Sequence, residues 1–452
     1  MPWRLIPVKA RIQLSKVERV VPTRSERARR VALHPRCLLR SMKFLHSALG
    51  GVLCLWGLLL VSCANHPSGP HVYGLPVANL ESAKQRIARN DPSVREPFAK
   101  LIENANRALL SAPGSVMDKT KVAASGDKHD FFSYGPYWWP DPDKPDGLPY
   151  IKHDGYVYPK SKIGTDTIAF TRLLNDTEAL AYAYYFTGRA DYADKAAELI
   201  RVWFLNPATA MNPSANYAQA IPGVTNGRFE GGIELRGLTR IADAIALIDR
   251  SPAWTKDDRR AFRHWLESYY DWLTQAKPPS DATSEENNHE SWHNVQVVHF
   301  ALVLGKAHHA RTFLQDEFPR LLAMQVAGTG EQHHELVRTD SLGYSLFNLE
   351  ALFRLATLGE YVGVDCWKFT TNDHGNLNSA LDYLAPYTDP ENRWPVDEVV
   401  PTNRDRLLPL LVQANAHQKN KTYQDLLDIF YDTGPDFWRL QWPFEKPAKT
   451  EH

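Results

Sequence analysis

From residue 77 onward, apolar residues recur at spacings of three and four with polar residues between them. This is the pattern of helices that bury one face. It predicts helices over 78–90, 96–110, 174–205, 234–250, 255–276, 292–305, 308–326, 345–363, 376–388, 404–417 and 421–433. The long run 174–205 breaks at Thr187-Gly188, where glycine is the expected residue past a helix end. Few stretches alternate as strands do. About a dozen helices in pairs with short polar connections predict an all-α fold, a helical barrel or solenoid. No strict sequence period marks a regular repeat array. No Pro/Gly/Ser linker divides residues 77–446, so that span reads as one domain. Three long polar-aromatic loops interrupt the helices, at 126–160, 205–232 and 278–290, and loops of that length in a compact domain usually carry function.

The N-terminus follows a different pattern. From Met42 the chain reads MKFLHSALGGVLCLWGLLLVSC, with Lys43 before an apolar run at Ala48–Val61 and Leu60-Val61-Ser62 before Cys63. The run is short for a membrane span. It resembles a bacterial lipoprotein signal over 42–62, with Cys63 as the lipidated residue; the alternatives are an ordinary signal peptide or a short anchor. Residues 63–76 read as a tether. Residues 1–41 are Arg-rich without apolar periodicity and read as a mis-assigned start or a disordered extension. The expectation is an exported protein, periplasmic or at the outer membrane, that touches membrane only through a lipid on Cys63. Removal of the signal leaves Cys63 and Cys366, so no disulfide is expected, and four scattered cysteines give no zinc spacing.

Charge changes the picture of the partner. The formal net charge of the 452 residues is zero. The segment before Cys63 carries about 12 Lys and Arg against about 2 Asp and Glu, leaving roughly 40 basic and 50 acidic residues in the remainder. A remainder this acidic is no general nucleic-acid binder. An anionic polymer would need a local basic cleft. The chain also has 13 Trp, 19 Tyr and 18 Phe, which suits either sugar stacking or an aromatic core.

Candidate chemistry gathers in four places. The first loop holds His129, Tyr134, Tyr137, Trp138 and Trp139, rings that can line a cleft or rigidify the loop. The second holds Asn216, Tyr217, Gln219, Asn226 and Arg228 among glycines; amides suit hydroxyl recognition, or plain turn chemistry. It has no phosphate-loop ending. The third, NNHESWHNVQ, puts Asn287, Asn288, His289, Glu290 and His293 before an apolar helix. Thr283, Ser284, Asn287 or Asn288 could cap that helix. His289-Glu290-Ser291-Trp292-His293 also matches His-Glu-x-x-His, a zinc-hydrolase pattern with a considerable false-positive rate. The fourth holds His333, His334, Glu335, Arg338 and Tyr344.

Two reactions use these residue types. In a zinc hydrolase, His289 and His293 bind metal and Glu290 is the base. In β-elimination on a uronate polymer, amides and arginine neutralise the carboxylate, and Tyr and His move protons. An arginine beside a tyrosine favours the phenolate. Asn288, His289, Arg338 and Tyr344 supply the whole second set, and no cofactor or metal is then required. A non-catalytic glycan-binding lipoprotein is a third reading.

NNHESWHNVQ, HELVRTDSLGYSLFNLEAL, DKHDFFSYGPYWWPDPDKPDGLPYI and MNPSANYAQAIPG together resemble the alginate lyase superfamily, in the same order and over about residues 95–435. The resemblance implies an (α/α) toroid or incomplete helical barrel with long polar-aromatic loops. It implies a lyase site at Asn288, His289, Arg338 and Tyr344, with Tyr344 as acid (and as base for a syn leaving group) and His289 as base for an anti one. Substrate contacts are expected from Tyr137, Trp138, Trp139, Asn216, Tyr217, Gln219, Asn226, Arg228, His293 and His334. Members of that family carry Gly-Thr-Trp-Tyr-Asp after the Asn-Asn-His, where this chain has Glu290-Ser291-Trp292-His293-Asn294, so the zinc pattern reads as accidental. The implied partner is an acidic polysaccharide, alginate or a glucuronan-like polymer.

Overall fold

The computed structural model describes residues 70–275, 286–432 and 436–444. The signal at 42–62, Cys63, the tether up to residue 69 and most of the loop 278–290 lie outside the described residues. Helix dominates, in the order α1 (Val77–Ala88), α2 (Pro92–Leu109), α3 (Thr167–Thr187), α4 (Ala190–Ile200), α5 (Leu238–Ile248), α6 (Lys256–Gln275), α7 (Asn288–Val303), α8 (Ala307–Gln325), α9 (His333–Leu336), α10 (Ser341–Val362), α11 (Leu377–Leu384), α12 (Leu407–His417), α13 (Lys421–Phe430) and α14 (Trp438–Gln441). The protein is all-α in class, a helical toroid whose described residues all belong to one compact unit, His66–His452. No helix among the described residues is long and apolar enough to cross a membrane.

Burial explains which helices sit at the centre. In α10, 15 of 22 residues are buried, which makes it an interior helix rather than a surface one. It packs on α7, α8, α9, α11 and α12, while α3 packs on α2, α4 and α5. In α13 only Tyr423 and Leu427 are buried, so it lies at the rim. Trp203, Trp254, Tyr269, Phe300, Phe318 and Phe353 fill the core, and each large apolar side chain so buried contributes about 1.5–3 kcal/mol. The predicted break after Thr187 is present: Gly188 has φ 71°, and its N–H donates to Tyr184 O.

The strands are short and lie in the loops the sequence marked. β1 (Phe132–Tyr134) runs parallel to β4 (Tyr217–Ala220), with Phe132 opposite Tyr217 and Tyr134 opposite Ala220. β2 (Trp138–Trp139) runs antiparallel to β3 (Ile151–Lys152). Strands of two to four residues are too brief for alternation to show in sequence. The β1–β4 pair joins the first two loops to each other, and the β2–β3 pair folds the first loop on itself. A buried ion pair fixes that unit to the start of α3: Lys119 Nζ lies 3.0 Å from Asp166, which also accepts from Phe132 N at 2.8 Å.

Candidate active site

The site is assembled by α7, the start of α10 and the two strand-bearing loops. Helix α7 begins earlier than its apolar pattern predicts, because Asn287 takes the capping position. Its side chain accepts from His289 N at 2.9 Å, the reciprocal of an unpaired first-turn donor. Asn288 and His289 therefore form the first helical turn. Helix α10 likewise starts at Ser341, since Glu398 accepts from Leu342 N at 2.8 Å and Gly343 N at 3.2 Å. Arg338 stays in the preceding turn and Tyr344 enters the first turn of α10.

These residues meet in a cavity of about 520 Å³, the range of a small-ligand site. Asn288, His289, Arg338, Tyr344, Tyr137, Trp138, Gln219 and Arg228 all line it. Tyr134 and Asn287 line it as well, and the other residues singled out as site candidates do not. Trp139 faces Tyr158 and His153, and its indole donates to Tyr156 O. Asn216 accepts from Trp272 Nε1 at 2.7 Å. Tyr217 opens β4, Asn226 is exposed, and His334 pairs with Glu286 at 3.3 Å. His293 lies one turn deeper in α7, where burial lowers its pKa to about 4.

Each lining group is held from behind. Asn288 is buried. Its amide nitrogen donates to both Glu335 oxygens at 3.0 and 2.9 Å, and its backbone N–H donates to Oε1 at 2.7 Å. The donors expected to neutralise a uronate carboxylate are thus taken up by Glu335. Beneath lies a buried amide layer: Gln325 accepts from Ser291 and Asn348, both at 2.9 Å, and Asn348 also donates to Gln332 at 2.9 Å. Arg338 forms a two-pronged pair with Asp154, Nε to Oδ2 at 3.0 Å and Nη2 to Oδ1 at 2.8 Å, the strong fork geometry.

Tyr344 corrects an expectation. Its hydroxyl donates to Tyr137 Oη at 2.6 Å, and Arg338 lies over its ring face, 3.8 Å from the centroid. Burial, with the Tyr137 hydroxyl, raises its pKa well above the ordinary phenol, against the lowering by Arg338. Desolvation outweighs the cation here, because that charge is already shared with Asp154. The resting side chain is a phenol, ready to give a proton. His289 shifts the other way, to about 4, through burial and then the nearby Arg228 and Arg338 charges. It is neutral at pH 7 and able to accept a proton.

Four charged lining residues carried no motif. Arg236 is half-buried beside Phe347 and Trp292, with its guanidinium 4.9 and 5.7 Å from their centroids. Glu234, between Arg228 and Arg236 in the lining, has its pKa raised by burial to about 7, tempered by hydrogen bonds from Ser133 and Gln219. Lys152 and Lys162 complete a cationic wall. Glu234 and Arg236 lie in a 3-10 segment, Phe229–Gly237, whose irregular winding hides its facing from a helical reading.

The zinc pattern does not form a site. Glu290 pairs with Arg320 instead of facing the cavity, and His293 does not line it. Among the described residues no group of three or more His, Cys, Asp or Glu is placed to hold a metal.

Comparison with known proteins agrees with this geometry. The family model described as alginate lyase matches residues 115–394. An alginate lyase from Bacteroides ovatus is 32% identical in sequence, with a TM-score of 0.79 over 83% of this chain and 100% of that one. Alginate lyase A1-III from Sphingomonas species A1 is 14% identical, with a TM-score of 0.43 over 73% of this chain and 91% of that one. A search of curated proteins finds no match.

Proposed function

The chain belongs to the alginate lyase family, and on that premise we propose that it cleaves a uronate-containing polysaccharide, alginate or a glucuronan-like polymer, by β-elimination. One observation carries the reading: His289, from one motif, and Arg338 and Tyr344, from another, line one cavity together with Arg228 and Arg236.

The reaction removes the proton α to the uronate carboxylate and expels the glycosidic oxygen β to that carbon. The carbon–hydrogen and carbon–oxygen bonds break, a carbon–carbon double bond forms, and the leaving oxygen gains a proton. Arg228 and Arg236 neutralise the carboxylate, whose negative charge grows as the proton leaves. Tyr344, a phenol at rest, delivers the proton to the leaving oxygen, its O–H turning from Tyr137 to that oxygen as the substrate binds. Neutral His289 takes the α-proton; a bound carboxylate beside it raises its basicity. Arg338 steadies Tyr344 through its ring face, and Asp154 steadies Arg338. Asn288 holds the first turn of α7 on Glu335.

The test is a panel of alginate, mannuronan, glucuronan and pectate, followed by ultraviolet absorbance of unsaturated ends. Wild type raises absorbance on at least one. Tyr344→Phe and His289→Ala each lower the rate by about 10²–10⁴. Full activity in both variants sinks the assignment of roles.

The signal-like segment supports an exported protein with lipid on Cys63, in the periplasm or at the outer membrane. Cys63→Ser should move the protein from membrane to soluble fractions, and unchanged partition excludes the anchor.

A further inference from the structure

A second groove continues from the active-site cavity. It has a volume of about 570 Å³ and shares two wall residues with that cavity, Lys162 and Thr167. From Thr167 it runs along one face of α3, past Ile168, Arg172, Asn175 and Ala179. Positions 168, 172, 175 and 179 are spaced by four, three and four, so they form one stripe of the helix. Eleven residues of rise make that stripe about 16 Å long, room for several sugar residues in line.

The chemistry of the groove matches a polyuronate. Its walls carry four cations, Arg107, Lys162, Arg172 and Arg240, against two carboxylates, Asp176 and Glu178. Glu178 is already matched by Arg240 at 2.5 Å. Lys162 and Arg172 are exposed and make no ion pair among the described residues. Exposed apolar surface lies beside the charges. Ile168 is 60% exposed, and Phe437 at the far end is held edge-on by Tyr182 at 4.7 Å. Sugar rings have apolar faces and uronates have carboxylates at regular intervals, so a groove that sets cationic side chains beside exposed apolar surface suits several linked uronates. In a chain with about ten more acidic than basic residues after Cys63, a net positive groove opening from a positive cavity is a local exception.

We propose that this groove binds the stretch of the same polymer that extends beyond the residues being cleaved, so that the enzyme favours long chains over short ones. The inference rests on the lyase reading above. The groove touches no reacting atom; it adds binding for distant sugar units, which raises kcat/KM only for substrates long enough to reach it.

The experiment uses the full chain, wild type and Arg172→Glu, with oligouronates from dimer to decamer and intact polymer, prepared from both mannuronan and glucuronan. For wild type, kcat/KM should rise with length beyond the tetramer. Arg172→Glu should lower kcat/KM on polymer about tenfold more than on trimer, the effect of one exposed charge reversed against a polyanion. Low-salt gel retardation in each polymer is measured in parallel, each protein against its own mobility in a polymer-free gel, where Arg172→Glu should be retarded less than wild type. Equal loss at every length, or no loss, together with unchanged retardation, overturns the groove while leaving the lyase reading intact. If wild type cleaves neither polymer, the lyase reading fails on these substrates, and retardation alone then decides the groove: equal retardation of the two proteins relative to polymer-free gels overturns it.

Discussion

At the residue scale, the cavity is defined by opposing shifts of its titratable groups. Burial keeps Tyr344 a phenol and His289 an uncharged imidazole, the states required of an acid and a base before reaction. His289 also links stability to pH. Its folded pKa of about 4 is below the ordinary value of 6.5, so the unfolded chain takes up the proton first as pH falls. Its stabilising contribution is full above about pH 6.5 and is lost as pH drops toward 4. Urea unfolding across that window should show a steeper decline for wild type than for His289→Gln; parallel curves would contradict it. Glu234 shifts upward, to about 7. Its deprotonation adds an anion to a cavity proposed for a polyanion, so kcat/KM should fall as pH rises through 7, and Glu234→Gln should flatten that limb. Neither group announced its state in sequence. An arginine beside Tyr344 suggested a phenolate, and only the depth of the ring and the Arg338–Asp154 fork show that burial prevails.

At the element scale, helix starts place the chemistry. The apolar pattern located α7 and α10 but set their beginnings four residues late, at 292 and 345 rather than 288 and 341. Hydrophobic periodicity cannot see a first turn made of polar residues whose partners come from elsewhere. Glu335 accepts three hydrogen bonds from Asn288, and Glu398 caps α10 from more than fifty residues downstream. Glu335→Ala leaves the Asn288 donors buried without acceptors and should destabilise the fold by about 1–3 kcal/mol, read as a lower Tm. Asn287→Ala removes the cap of α7 and should cost about 1 kcal/mol, with a larger fractional loss of kcat than of stability, because His289 sits on the uncapped turn. Asp154→Asn frees Arg338 from its fork and should lower kcat by about tenfold while Tm stays nearly constant, since the pair is partly exposed.

At the scale of the whole molecule, the all-α class, the loops at 126–160 and 205–232 and the four site motifs were legible, because periodicity and motif order are properties of sequence; most of the third predicted loop lies outside the described residues. The cationic wall was not. Arg236, Lys152 and Lys162 belong to no motif, and their segments, separate in sequence, meet at one cavity. Trp139, Asn216 and Asn226 stay outside it, although they lie close to lining residues in sequence. In a strand, adjacent side chains face opposite ways, so Trp138 and Trp139 cannot both face the cavity. An acidic chain with a cationic cavity also predicts salt sensitivity: kcat/KM on polymer should fall steeply with ionic strength, while kcat changes little.

The central claim is elimination rather than hydrolysis at the Tyr344–His289 cavity. The most direct measurement is digestion of a susceptible uronate polymer in heavy-oxygen water, with mass analysis of the new chain ends. Elimination predicts unsaturated ends, each lighter by one water than a hydrolysis product, with no solvent oxygen incorporated. Saturated ends carrying the heavy oxygen would contradict it.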